Sequence, residues 1–545
     1  MSNQLKLLFL ILILGIGLRL TALGNIPSGF FRDEAALGYN SYSIWQTGQD
    51  EFGMKFPIVF RSFEVFFLPL YEYLSAPIIG LLDLHEFSTR LLSAFAGVGA
   101  LILIYLICQQ LWGNKNISLL ATFVLAISPW HIFYSRGAFE GNLALTMFSA
   151  GFLFILKFIN HQQIRWLFFT VLFFILAMYS YQAERFVVPF FILSLLIFYW
   201  KKLWAIKFKL IPLIIFSAVL MLPLLNLTFR AGGYHRALGV TIFSQDRQPP
   251  GWEEGQPARF LVNNRPYLLS RQLLALYLSY FSPQNLFFAG DYLRQRAVEN
   301  YSVFYAILLP CLILGLVLAL KKLDLKVKLL LGWAIIAPIP ASVTSDPFHT
   351  YRSLLLYFPL TVLIAVGLNQ IINFSKYRRL IFTGVILILL VDLNLFLFNY
   401  SVVNSATRAR DWDFGYKEVV NFIQTQTNYT KVVFDDPNTE SYIQYLFFAK
   451  VNPALYQQTV AKLPPVESYY YSNPNKIRPV QVGNIYFRHV DWASERGDVG
   501  TIFVMSADRL QRDKFTGDPK VKLLKEIKYP SGELAFTIVR IINQK

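Results

Sequence analysis

Runs of apolar residues about 20 long, broken by short basic or aromatic segments, dominate the first 400 residues of the chain. A run of that length covers the hydrocarbon core of a bilayer as a helix. The pattern predicts eleven such spans, at about 5–24, 90–111, 117–135, 141–159, 165–180, 185–200, 207–227, 301–320, 327–344, 353–373 and 380–399. The first has no small-residue cleavage site after it and reads as a retained helix rather than a signal peptide. Three regions break the pattern: residues 25–89, 228–300 and 401–545. Within the first, Val65–Leu84 is apolar but carries Pro69 and Pro77, and is expected to lie in the membrane interface. The last turns polar and holds short β-rich runs at 431–434, 500–505 and 534–539, with a helical spacing over Gly415–Thr425.

Composition agrees with this pattern. Hydrophobic residues make up 55% of the chain and charged residues only 15%, against about 25% charged in a typical soluble domain. Placing the N-terminus in the cytoplasm puts fourteen Lys and Arg residues and one acid, Asp324, in the five cytoplasmic loops. That bias predicts an N-in, C-out protein of the plasma (inner) membrane. It also accounts for much of the +17 net charge, so nucleic acid is not an expected partner and membrane lipids are. Cys108 and Cys311 both fall in predicted helices, which excludes a disulfide framework or a Cys-ligated zinc site. The reading is an α-helical polytopic membrane protein over 1–400 with a small extracytoplasmic α/β domain over 401–545.

The spans are nearly free of charge, and the distinctive polar residues cluster at their outer ends. Asp33 and Glu34 follow the first span among Phe30, Phe31, Ala35, Ala36 and Leu37. Adjacent carboxylates in such a setting are costly unless water, a partner charge or a substrate meets them. Other outer-end residues are Arg90, His131, Arg136, Glu140, Tyr181, Arg185, His235, Arg236, Asp346, His349 and Arg352. Each also fits a structural role. Arg90 and Arg185 can snorkel to headgroups, His131 can be a hydrogen-bonded interface residue, Glu140 can sit at a helix N-terminus, and Asp346–His349 can form a tight turn. Together they offer carboxylates for proton abstraction and cations for a phosphate or diphosphate leaving group.

Arg32-Asp33-Glu34-Ala35 with Gly38-Tyr39, Ser128-Pro129-Trp130-His131 with Ser135-Arg136, Tyr181 to Arg185, and Pro347 to Arg352 carry a resemblance. In these motifs and in topology the chain resembles GT-C superfamily glycosyltransferases that use polyprenyl-phosphate sugars, among them protein O-mannosyltransferases and aminoarabinose transferases of lipid A. The resemblance implies the GT-C fold. It implies an inverting transfer from a polyprenyl-phosphate sugar donor to a lipid, glycan or protein acceptor on the extracytoplasmic face. It also implies Asp33 as general base, Glu34 as a contact to substrate hydroxyls, and Glu140 as a second acidic position. The lipid phosphate would fall to Arg136, Arg185, His349 and Arg352, with His235 and Arg236 as further candidates and Arg90, His131 and Tyr181 in the substrate region. The first outer loop has no Asp-x-Asp, so no divalent metal is expected; Asp411-x-Asp413 is read as incidental. A lipid-linked sugar flippase and a polysaccharide polymerase or ligase using lipid diphosphates are the competing readings.

Overall fold

The computed structural model describes residues 3–62, 65–229, 241–242, 264–374, 376–436, 440–462, 481–507 and 517–543. Among these, helices occupy all eleven predicted segments. Eight are long and apolar enough to cross a membrane. A bent pair, Lys115–Ile127 and Pro129–Arg136, is long and apolar enough when taken together and turns by 57°, as a broken span or a re-entrant loop does. Pro129 opens the second half, where its ring cannot clash with a preceding helical turn. Of the other two helices, Ile164–Ser180, with 17 residues, matches its predicted segment, whereas Leu309–Lys322, with 14, is shorter than predicted. The prediction over 301–320 ran too far because residues 301–308 are mostly irregular, with a 3₁₀ turn at Ala306–Leu308.

The chain divides into two compact units. The first comprises Met1–Thr21, Ser93–Ser135 and Phe139–Leu397. Its interior is closed by aromatic packing around Trp333, which is fully buried and meets Phe148, Phe152 and Phe358 at ring distances of 4.9, 5.1 and 5.2 Å. Helices Leu309–Lys322 and Leu354–Phe374 touch backbone to backbone. A Cβ at Gly315 would overlap the Leu363 carbonyl, and one at Gly367 would overlap that of Cys311. Small residues permit this approach where apolar burial gives helices no reason to associate.

The second unit comprises Ala22–Leu92, Arg136–Ala138 and Phe398–Lys545. Its first segment opens with helix Arg32–Thr47, then a short hairpin of β1 (Phe60–Ser62) and β2 (Val65–Phe67). Helix Leu70–Leu82 follows; its 13 residues reach about 20 Å, too short to span. The C-terminal part folds as a six-stranded sheet from β3 (Val432–Asp435), β4 (Gln481–Val482), β5 (Ile485–Arg488), β6 (Ile502–Ser506), β7 (Val521–Lys528) and β8 (Leu534–Ile541). The order is β4-β5-β3-β6-β8-β7, with β5, β3 and β6 parallel and the other pairings antiparallel. Val433, Phe503, Met505, Val539 and Ile541 form one of its buried clusters. The predicted strands correspond to β3, β6 and β8, and the predicted helix to Tyr416–Gln424.

Candidate functional site

In the second unit, Phe31 precedes helix Arg32–Thr47 and has no side-chain oxygen to receive its first amides. Acids come from elsewhere. The Glu34 carboxylate turns back to accept from the Phe31 N–H at 3.2 Å. It also accepts from Arg90 Nε and Nη2, each at 2.9 Å, and from the Ala138 N–H at 2.8 Å. Arg90 completes its donors on the carbonyls of Leu23, Pro27 and Gly29. Both side chains are almost wholly buried. Glu34 and Arg90, both candidates for contact with substrate, hold one another.

Arg32 opens the helix and is anchored in the opposite direction. Its N–H donates to Asp413 Oδ2 at 2.9 Å, its Nε lies 3.3 Å from the same oxygen, and its Nη1 pairs with Glu440. Burial raises the Asp413 carboxyl above its ordinary range, against the pull of Arg32. The turn before the helix is held as well. Gly29 has φ +89°, and a Cβ there would overlap the Trp412 carbonyl. Phe30 packs on Phe447 at 4.5 Å, and Gln444 donates to the Phe30 carbonyl. Asp33 sits between these two anchored neighbours, in the first helical turn, and remains partly exposed. Arg136 is buried in the same unit, donating from Nη2 to the Ile26 carbonyl at 3.2 Å and lying 5.7 Å from the centre of the Tyr400 ring.

The first unit holds a separate cluster. Asp291 accepts from the Thr350 N–H at 2.8 Å and its hydroxyl at 2.7 Å, and its Oδ2 lies 3.1 Å from Arg296 Nε. Arg296 also meets His349 Nε2. Asp346 gathers Arg352 at 3.4 Å, His349 at 3.6 Å and the Tyr292 hydroxyl at 2.7 Å. His349 is pushed well below its ordinary range by burial and then by the two arginines, so it is a neutral imidazole rather than the expected cation. Arg352 is the more exposed arginine, at 27% against 13% for Arg296. Asp291 and Arg296 were not singled out in the sequence. Their signal was the Asp-x₄-Arg spacing in an Arg-rich loop, which many solvated loops share.

Also in this unit, the Tyr134 hydroxyl meets Thr350 Oγ1 at 2.5 Å, and its ring stacks on Tyr351 at 5.5 Å. Tyr181 and Phe139 meet Tyr351 at 4.9 and 5.2 Å. The Tyr351 hydroxyl accepts from the Gly141 N–H at 2.9 Å and hydrogen-bonds to the Glu140 carboxylate. Glu140, Tyr181, His349 and Arg352 are thus drawn into one connected aromatic and charged cluster. Arg185 lies partly exposed at the start of helix Glu184–Ala205. His131 is fully buried with Nδ1 at 2.5 Å from Arg19, whose guanidinium also donates to the carbonyls of Gly15, Leu125 and Ala126. His235 and Arg236 lie outside the described residues. Among the described residues, no three His, Cys, Asp or Glu side chains share a place fit for a metal ion.

Residues 68–225 match the family described as dolichyl-phosphate-mannose-protein mannosyltransferase. No curated protein sequence matches the chain. Among solved structures, the chain is similar to ArnT from Cupriavidus metallidurans in the apo state, with a TM-score of 0.58 and 12% identity over 100% of both chains. Its similarity to the same protein bound to undecaprenyl phosphate is equal in TM-score and identity, over 98% of this chain and 99% of that one. The likeness of fold along the whole length and the family match over 68–225 make the chain similar to GT-C membrane glycosyltransferases.

Proposed function

We propose that this protein transfers a sugar from a polyprenyl-phosphate carrier to a lipid, glycan or protein acceptor on the extracytoplasmic face, with inversion at the anomeric carbon. The observation that carries the reading is the setting of Asp33. Its two neighbours are anchored in opposite directions, by Asp413 and Glu440 on one side and by Arg90 on the other, while Asp33 itself stays reachable from solvent. A carboxylate fixed in this way suits a general base, a role that contributes on the order of 10²–10⁴-fold.

In the proposed reaction Asp33 takes the proton from an acceptor hydroxyl. The hydroxyl oxygen bonds to the anomeric carbon, the bond from that carbon to the phosphate oxygen breaks, and polyprenyl phosphate leaves with the electron pair. Arg352 and Arg296 are assigned to that phosphate, because guanidinium groups match its oxygens in pairs. Neutral His349 orients Arg296, and Arg185 is a further candidate. The undecaprenyl phosphate bound to ArnT supports a donor of this class. Glu140 is assigned to a second acidic contact, and the aromatic group around Tyr351 to stacking on a sugar face. The basic loops support the outward assignment of the reaction. No divalent metal is required in this scheme.

The test uses purified protein in lipid nanodiscs with polyprenyl-phosphate hexoses and pentoses. Release of polyprenyl phosphate, with sugar appearing on an acceptor from a membrane extract, is the expected result. Turnover of polyprenyl diphosphate donors alone would point to a polymerase or ligase. Movement of intact donor across liposomes with no sugar loss would point to a flippase.

A further inference from the structure

The two acids among the arginines of the first unit, Asp291 and Asp346, are held differently. Asp291 is shut away. Its side chain is fully buried, and its donors, the Thr350 N–H, the Thr350 hydroxyl and Arg296 Nε, lie at 2.8, 2.7 and 3.1 Å. The Asp346 side chain is 23% exposed, and its Oδ2 faces Arg352 Nη1 at 3.4 Å, His349 Nε2 at 3.6 Å and Arg296 Nη2 at 4.0 Å. A charge-assisted hydrogen bond closes to about 2.7–2.9 Å, so this oxygen makes no such bond to either arginine. The close donor to Asp346 is neutral: the Tyr292 hydroxyl gives to Oδ1 at 2.7 Å. The backbone around it is pinned. Pro347 follows and favours an extended conformation at Asp346. The Pro347 carbonyl accepts from the Ser279 hydroxyl at 2.9 Å, and the His349 N–H donates to the Tyr280 hydroxyl at 3.2 Å. The carboxylate is thus kept beside both arginines without being bonded tightly to either.

Resting on the assignment of Arg296 and Arg352 to the donor phosphate, we infer that Asp346 is a specificity-determining residue that limits the site to an anion of one negative charge. The two arginines bring two positive charges, and Asp291 and Asp346 offset them. A polyprenyl-phosphate sugar is a phosphodiester with a single negative charge. The carrier left after transfer is a phosphate monoester, which holds about 1.5–2 negative charges at pH 7, and a lipid diphosphate holds more. Each charge beyond the first meets Asp346 with no further cation to balance it. Asp346 therefore disfavours lipid diphosphates and helps to expel the spent carrier, selecting by repulsion rather than by an added contact.

Binding tests this without knowledge of the sugar or the acceptor. Undecaprenyl phosphate, its methyl phosphodiester and undecaprenyl diphosphate are titrated against the full-length protein in lipid nanodiscs at about pH 8, where the monoester carries close to two charges. A partly exposed charge changes binding by up to about fivefold for each unit of charge on its partner. Asp346→Asn should therefore tighten the diester about threefold and the monoester about tenfold, because the interaction scales with ligand charge and the second factor is the square of the first. The diphosphate should gain more again, and all three gains should shrink in high salt. A merely structural loss would change the esters equally. Equal changes for the two esters, or no change in folded Asp346→Asn, overturns the inference. If Asp346→Asn does not fold, Asp346→Ser carries the same comparison. Arg352→Gln is measured alongside, with undecaprenyl phosphate binding expected to weaken about tenfold. Parent-like binding there would remove the phosphate assignment, and the inference with it. Weakened binding there with equal ester changes in Asp346→Asn would leave that assignment standing and sink the inference alone.

Discussion

Replacing Glu34 by Gln separates a structural acid from a catalytic one. The carboxylate accepts four donors: two from Arg90, one from the Ala138 amide and one from the Phe31 amide. Gln offers one oxygen and turns an NH₂ toward the Arg90 guanidinium, which is fully buried. Removing one partner of a buried ion pair costs about 3–5 kcal/mol, because the other charge remains in a poor solvent for it. The carbonyls of Leu23, Pro27 and Gly29 still hold Arg90, which favours the lower end. The expected loss is about 3 kcal/mol, a factor of roughly 150 in the local folding equilibrium. Urea-dependent proteolysis in detergent, with mass-spectrometric assignment of cut sites in residues 22–92, reads that loss directly. Glu34→Gln/Arg90→Met should recover much of it, since a buried pair replaced by apolar groups is often near neutral. If Glu34→Gln is as stable as the parent and changes only the KM for donor or acceptor, Glu34 is a substrate contact and not a structural acid.

Three further outcomes are expected. Tyr351→Phe leaves the Glu140 carboxylate and the Gly141 amide short of a partner, at a cost of about 1–3 kcal/mol; kinetics should show kcat reduced with the thermal midpoint only modestly lowered. Burial raises the carboxyls of Asp50 to about 7 and Glu51 to about 8, whereas unfolded carboxyls titrate near 4. The folded chain therefore keeps protons that the unfolded chain releases, and stability falls as pH rises from about 4 through about 8; Asp50→Asn/Glu51→Gln should flatten that fall in denaturant titrations. EDTA followed by metal-free dialysis should leave donor turnover unchanged, and recovery only on adding Mg²⁺ or Mn²⁺ would contradict the proposed scheme.

The membrane spans were legible because the bilayer demands continuous apolar helices, and their sequence cost is visible locally. The bend at Ser128-Pro129 and the irregular stretch 301–308 were not, since both depend on packing partners. Strands β3, β6 and β8 carry apolar runs. The β7 sequence Val521–Lys528 mixes charged and aliphatic residues without a period of two, at an exposed sheet edge, and gives no strand signal. At the candidate site, adjacency hid the difference between Asp33 and Glu34. What separates them is Arg90, 56 residues from Glu34, and Asp413, 381 residues from Arg32. Asp413 was visible as part of an Asp-x-Asp and was set aside, because in sequence it lies with the soluble segment. Its partnership with Arg32 exists only once residues 22–92 and 398–545 share one unit.

Asp33 as the base of a sugar transfer from polyprenyl phosphate is open to measurement within one turnover. Single-turnover release of polyprenyl phosphate from a bound polyprenyl-phosphate sugar, compared between the parent protein and Asp33→Asn at matched donor occupancy, tests it most directly. The expected release rate is lower by at least about a hundredfold in Asp33→Asn, with donor binding unchanged. Equal release rates at equal occupancy would contradict it.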